Sequence, residues 1–200
     1  MFDLPTDLPA DLAPLSWLVG VWEGTGVIAY EVDGTRFDGE FTHRVTFSHD
    51  DGAVLNYSAA AWMHGDGDER TPLVSEVGYW RLSRPASDSD AGPGLLPASA
   101  AAEARTADDV ELLRNADGGF EIEASIVHAD GVSELYLGQI KGPRIDIATD
   151  AVLRPAGAKH YAAASRMYGL VDGHLLWAWD IAALGSELAS HASARLARVS

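Results

Sequence analysis

From Phe37 to Phe47 the sequence alternates without a break. Phe37, Gly39, Phe41, His43, Val45 and Phe47 fall on one side, and Asp38, Glu40, Thr42, Arg44 and Thr46 on the other. A period of two over this length specifies a half-buried β-strand and excludes a helix. Strand-like runs of this kind recur along the chain. They fall at Gly20–Gly26, Val54–Met63, Thr71–Leu82, Val110–Leu113, Phe120–His128, Val132–Lys141, Arg144–Thr149, Arg166–Val171, Leu175–Ala182 and His191–Val199. Turn residues separate them: Asn115–Gly119, Asp130-Gly131, Gly142-Pro143 and Asp172-Gly173. The last, between two apolar runs, is a strong hairpin signal. About ten strands with turns at this spacing form an antiparallel meander, which must close or split because an open edge invites aggregation. The expected fold is all-β. It is an up-and-down barrel of about ten antiparallel strands with a ligand-sized interior, built as one domain over residues 1–200.

Two segments break the pattern. Asp3, Pro5, Asp7, Pro9, Asp11 and Pro14 forbid a long helix near the start, but one or two turns fit between Leu8 and Leu18, with Asp7 or Asp11 at their beginning. Leu12, Leu15 and Leu18 would share one face and cap an apolar opening of the barrel. Residues 84–105 are dominated by Pro, Ser, Asp, Gly and Ala. They read as a flexible insertion loop that could cover a pocket mouth, since strands resume directly after it. A further short helical piece is placed near Leu184.

The charge balance narrows the partners. A net charge of −16 gives no basic face for nucleic acid and sets the chain against an anionic membrane surface. No apolar run approaches the ~18 residues of a membrane helix, and Phe2-Asp3-Leu4-Pro5 does not open like a secretory leader. With no cysteine, disulfides, thiolate nucleophiles and thiolate metal ligands drop out together. A cytoplasmic protein, monomer or homodimer, is expected.

Nucleophile-elbow, phosphate-loop, dinucleotide-fold and zinc-protease motifs are missing, and the seven histidines lack zinc-like spacing. His43, on the apolar side of its strand, reads as a core histidine with a hydrogen-bond partner. A barrel interior can hold a fatty acid, another apolar ligand or a heme. In a chain without cysteine, heme iron would take a histidine, but residue chemistry alone does not choose among the seven.

Several stretches together resemble the nitrobindin family, heme-binding β-barrels similar in shape to fatty-acid-binding proteins. Gly20-Val-Trp-Glu-Gly-Thr-Gly26 matches its GxWxGxG signature, and Glu76-Val-Gly-Tyr-Trp-Arg81 resembles a second one. Thr149-Asp150 with Ala158-Lys159 resembles its TD…AK stretch. Arg166-Met-Tyr-Gly-Leu-Val171 and Asp180-Ile-Ala-Ala183 resemble its closing hairpin, and His191-Ala-Ser-Ala-Arg-Leu196 its terminal HxxAxL pattern. The resemblance implies a heme b cofactor with His191 as axial iron ligand and catalytic centre. It implies a ferric form that isomerises peroxynitrite to nitrate and a ferrous form that binds nitric oxide. It places Lys159 near a heme propionate or the incoming anion, with Arg195 and Arg198 as further propionate neighbours. Where the family carries Tyr-Pro-Thr, with the threonine beside the heme, this chain has Tyr30-Glu31-Val32, so Val32 takes the heme-side position without a hydroxyl. A heme-less carrier of a fatty acid or other apolar ligand is the alternative. Strict alternation adds a tension: His191 shares a face with Ser193 and Arg195, and Ala192, Ala194 and Leu196 take the other.

Overall fold

The computed structural model describes residues 8–32, 34–50, 52–65, 69–101, 105–183 and 185–199. Ten strands run in chain order: β1 Gly20–Val32, β2 Thr35–Ser48, β3 Leu55–His64, β4 Arg70–Leu82, β5 Phe120–His128, β6 Ser133–Lys141, β7 Arg144–Leu153, β8 Tyr161–Val171, β9 His174–Ala183 and β10 Ala189–Arg198. Each pairs antiparallel with the next, and β10 closes on β1, giving the expected up-and-down barrel. Apolar alternation drives it: Phe41, His43, Val45 and Phe47 of β2 are buried, and their neighbours are less so. At the β8–β9 hairpin, Asp172 and Gly173 both take positive φ, 49° and 75°, which suits the twist of a two-residue turn.

The first signature is a closure device. A Cβ on Gly24 would lie 2.2 Å from the Arg195 carbonyl oxygen, and one on Gly26 2.3 Å from that of Ser193. Glycine lets β10 approach β1. Trp22, on β1 itself, is fully buried, and its indole N–H donates to the Leu18 carbonyl at 2.7 Å. That bond fastens a 3-10 helix, Ala10–Leu18, whose Leu12, Leu15 and Leu18 are buried. The helix caps the barrel end where β1 begins and β10 finishes. The position expected for Asp7 lies outside the described residues, as does that of Leu184.

One expected strand is a helix. Ala107–Glu111, overlapping Val110–Leu113, is α-helical because Thr106 and Asp109 form a reciprocal capping box. The backbone N–H of Asp109 donates to the Thr106 hydroxyl, and that of Thr106 to the Asp109 carboxylate. Two satisfied donors outweigh a short apolar run with no strand partner.

The interior is not hollow throughout. In the capped half, Phe47, Tyr57, Trp80 and Tyr168 pack ring against ring, with centroids 5.2 to 6.4 Å apart. The connection between β4 and β5, which carries the insertion, leaves at this same end, and Arg105 pairs with Asp11 at 3.6 Å. It therefore does not cover the opposite mouth. Among the described residues no helix is long and apolar enough to cross a membrane.

Candidate functional site

His191 enters the barrel through an irregularity. Along β10, Ser190 faces Asp180 of β9 and Ala192 faces Trp179, so His191 is an extra residue without a partner in that ladder. Two residues opposing one make a β-bulge, which re-aims a side chain. The bulge resolves the parity tension: His191 and Ala192, consecutive in sequence, both line the same cavity. Regular alternation resumes after it, with Ala192 and Leu196 buried and Ser193 and Arg195 exposed.

The cavity opens at the uncapped end and encloses about 290 Å³. Phe41, Leu73, Val132, Trp177, Trp179 and Ile181 supply apolar wall, and Lys159, His160, His128 and Tyr161 supply its polar groups. A smaller recess of about 170 Å³ adjoins it, lined in part by Tyr30, Val32, Glu187 and His191. His191 and Tyr30 line both. The His191 ring lies 4.5 Å from that of Tyr30, tilted by 31°, and 5.6 Å edge-on from Trp179. Burial alone pulls its pKa below the ordinary histidine value, so the imidazole is neutral near pH 7. Lys159 sits on the β7–β8 connection, where its carbonyl accepts from Arg154 at 3.0 Å. Lys159 lines the larger cavity with His191, and Val32 lines the adjoining recess with it.

Arg195 and Arg198 do not reach this cavity. Arg195 donates to His174 at 3.1 Å on the outer wall, and Arg198 lies over the Trp22 ring, 5.9 Å away, at the capped end. Alternation turns Arg195 outward, and strand direction carries Arg198 away, since β10 runs from the open end to the capped one. His43 is the core histidine expected. Its Nδ1 lies 3.2 Å from the Ala60 carbonyl, and burial lowers its pKa to about 4. A larger recess of about 860 Å³ lies against the outer wall of β5 to β9, among Asp117, Asp146 and Asp180. It shares no residue with the His191 cavity, and Arg144 there is already held by Asp146 at 2.6 Å.

The floor of the cavity is a buried ionic network that single-residue reasoning did not assemble. Arg166 donates to both oxygens of Glu76 at 2.8 Å and to Glu134 at 3.3 Å. Tyr57 donates to Glu76 at 2.8 Å, and Tyr136 and Tyr161 to Glu134. His128 Nε2 lies 2.7 Å from Glu134, and Nδ1 lies 3.6 Å from Glu76. Although burial opposes it, the Arg166 charge holds the Glu76 carboxyl down at about 2. Burial also works against the His128 proton, but the Glu134 hydrogen bond and the two carboxylate charges raise its pKa. The inward side of Glu76 and Glu134, flanked by apolar neighbours in β4 and β6, was the available signal. Nothing in the sequence pairs them with Arg166.

Comparison with known proteins gives this geometry a context. Residues 11–198 match the THAP4-like, heme-binding beta-barrel domain. The chain belongs to this heme-binding barrel family. Two relatives, both named peroxynitrite isomerase, cover essentially all of it. One from Leifsonia xyli subsp. xyli is 61% identical over 99% of both chains, and one from Clavibacter michiganensis subsp. michiganensis is 58% identical over 100% of both. The crystal structure of Rv2717c from M. tuberculosis shares the fold, with a TM-score of 0.67 at 24% identity over 99% of this chain and 100% of that one.

For the heme of this family the donor set here fits. A neutral imidazole stands in an aromatic and aliphatic cavity, with a cationic side chain at the mouth. The fatty-acid alternative fits less well. The buried guanidinium that would attract a carboxylate is already saturated by Glu76 and Glu134, and the capped half of the barrel is filled.

Proposed function

We propose that this barrel holds heme b through His191 and isomerises peroxynitrite to nitrate, and that its reduced form binds nitric oxide. The observation that carries the reading is the bulge that turns an uncharged imidazole into an apolar cavity. The names of the close relatives point to the same reaction. When bound, heme would supply a Lewis-acidic iron with a coordination position open to the anion. His191 would contribute the axial lone pair, free of a proton at neutral pH. Phe41, Trp177, Trp179 and Ile181 would keep water out of the cavity that holds the group. Lys159, at the mouth of a chain with net charge −16, would offer the local positive potential that an anion otherwise lacks on approach. Val32 has methyl groups only, so its position would contribute packing and no hydrogen bond. The protein would work as a cytoplasmic single domain, monomer or homodimer.

Hemin titration tests the reading. The apoprotein should give a sharp Soret band and speed peroxynitrite decay, and His191→Ala should lose both the axial-imidazole spectrum and the rate. A His191→Ala spectrum identical to the parent would overturn the assignment.

A further inference from the structure

A histidine that ligates a metal is ordinarily oriented through its second ring nitrogen, by a carboxylate, a carbonyl or a water. His191 lacks the protein-supplied version. Among the described residues no side chain or carbonyl hydrogen-bonds its ring, and burial is the one influence on its charge. Its backbone is also outside the usual constraint, because the bulge leaves it unpaired with β9 and the ladder with β1 stops at Ala192. What touches the ring is aromatic: Tyr30 across its face at 4.5 Å and Trp179 edge-on at 5.6 Å.

Tyr30 is itself backed. It faces Phe37 across the β1–β2 hairpin, and the two rings stack at 5.3 Å and 17°. Phe37 is 45% exposed, an unusual place for a phenylalanine with no core role. Its stacking on Tyr30 gives it one. The three rings form a column from solvent to the cavity: Phe37, Tyr30, His191.

We infer that Tyr30, supported by Phe37, is a positioning residue that sets the plane of the His191 imidazole and so its presentation to the iron. The inference rests on His191 being the axial ligand. It assigns the work to the phenol ring's face and not to its hydroxyl, for which no hydrogen-bond partner appears among the described residues. Trp179 sets the second boundary, and its own face is held by the Arg166 guanidinium at 4.7 Å. It is therefore the fixed wall, and Tyr30, on the hairpin, is the adjustable one.

The test titrates apoprotein with hemin and records the Soret maximum and, after reduction, the Fe–His stretching band by resonance Raman. Tyr30→Ala and Tyr30→Leu should weaken hemin affinity about tenfold, the lower end for loss of a ligand-orienting contact, and should shift or broaden the Fe–His band. Tyr30→Phe should match the parent. Phe37→Ala should move both readouts less, in the same direction. The Tyr30→Ala/Phe37→Ala double variant should be no worse than Tyr30→Ala, since Phe37 acts through Tyr30. Thermal midpoints of the apoproteins identify any variant that has lost its fold, and the leucine variant keeps the volume if alanine does not. Parent-like affinity and band in Tyr30→Leu, or a Tyr30→Phe as impaired as Tyr30→Ala, would overturn the inference. His191→Ala in the same series separates the two ideas. If it loses the Fe–His band while Tyr30→Leu does not, this inference alone falls. If it keeps the band, the ligand assignment falls as well.

Discussion

Arg166 shows how this barrel handles charge at the scale of single residues. Its side chain is fully enclosed, and Glu76 beside it is 2% exposed, so each is tolerable only because the other is there. Glu76→Gln should destabilise the barrel by about 3–5 kcal/mol, because it leaves a buried guanidinium short of its counter-charge; urea unfolding measures it. The pH dependence has two sides. Glu76 is depressed from 4.5 to about 2, so its contribution is whole above pH 4.5 and is lost as pH falls toward 2. His43 is depressed from 6.5 to about 4 and must stay neutral to stay buried, so stability also falls as pH drops from 6.5 to 4. His128 is raised, so its contribution is complete below pH 6.5 and is lost as pH rises through its folded value. The urea midpoint of the parent should therefore fall on both sides of a maximum, and His128→Gln should flatten the alkaline limb. At the mouth, Lys159→Ala should slow peroxynitrite capture by roughly two- to fivefold at low ionic strength, with the difference fading in salt. Stopped-flow rates at two salt concentrations check it.

At the scale of elements, one inserted residue decides what β10 presents. Counted back from Leu196 at period two, His191 belongs outside. The bulge between Ser190 and Ala192 brings it inside without disturbing Ala192, Ala194 or Leu196. Deleting Ser190 should restore strict pairing, return the imidazole to solvent and abolish the axial-histidine spectrum on hemin addition. The circular dichroism of the barrel should be retained. A retained spectrum would show that the bulge is not what aims the ring. The same scale explains the helix at Ala107–Glu111: a local capping box competes with periodicity and wins where no neighbouring strand is available.

Seen whole, the molecule divides its two ends. The 3-10 helix, Trp22 and the aromatic packing of Trp80 and Tyr168 close one end, and the His191 cavity opens at the other. Replacing residues 86–100 by a short Gly-Ser linker should leave hemin affinity within about twofold, because exposed loops tolerate such changes where no buried contact is lost. A larger loss would place that loop in the site. The ion network spans the boundary between the ends, contributing His128 and Tyr161 to the cavity wall above and meeting Tyr57 below.

Strand number, order and most boundaries were legible in the chain because period-two alternation and turn chemistry are local, each readable within about ten residues. Leu12, Leu15 and Leu18 announced the cap in the same way, and the terminal motif singled out His191. Three things were not legible. The side of β10 on which His191 stands depends on a bulge, a mismatch between two strands that neither strand encodes alone. The union of Glu76, Glu134, His128 and Arg166 depends on closure, which brings four strands to one point inside. Which end stays open depends on where the long connection and the first helix settle. Local sequence determines the elements. Long-range pairing decides which of their side chains meet, because burial and electrostatic partnership exist only once the sheet has closed.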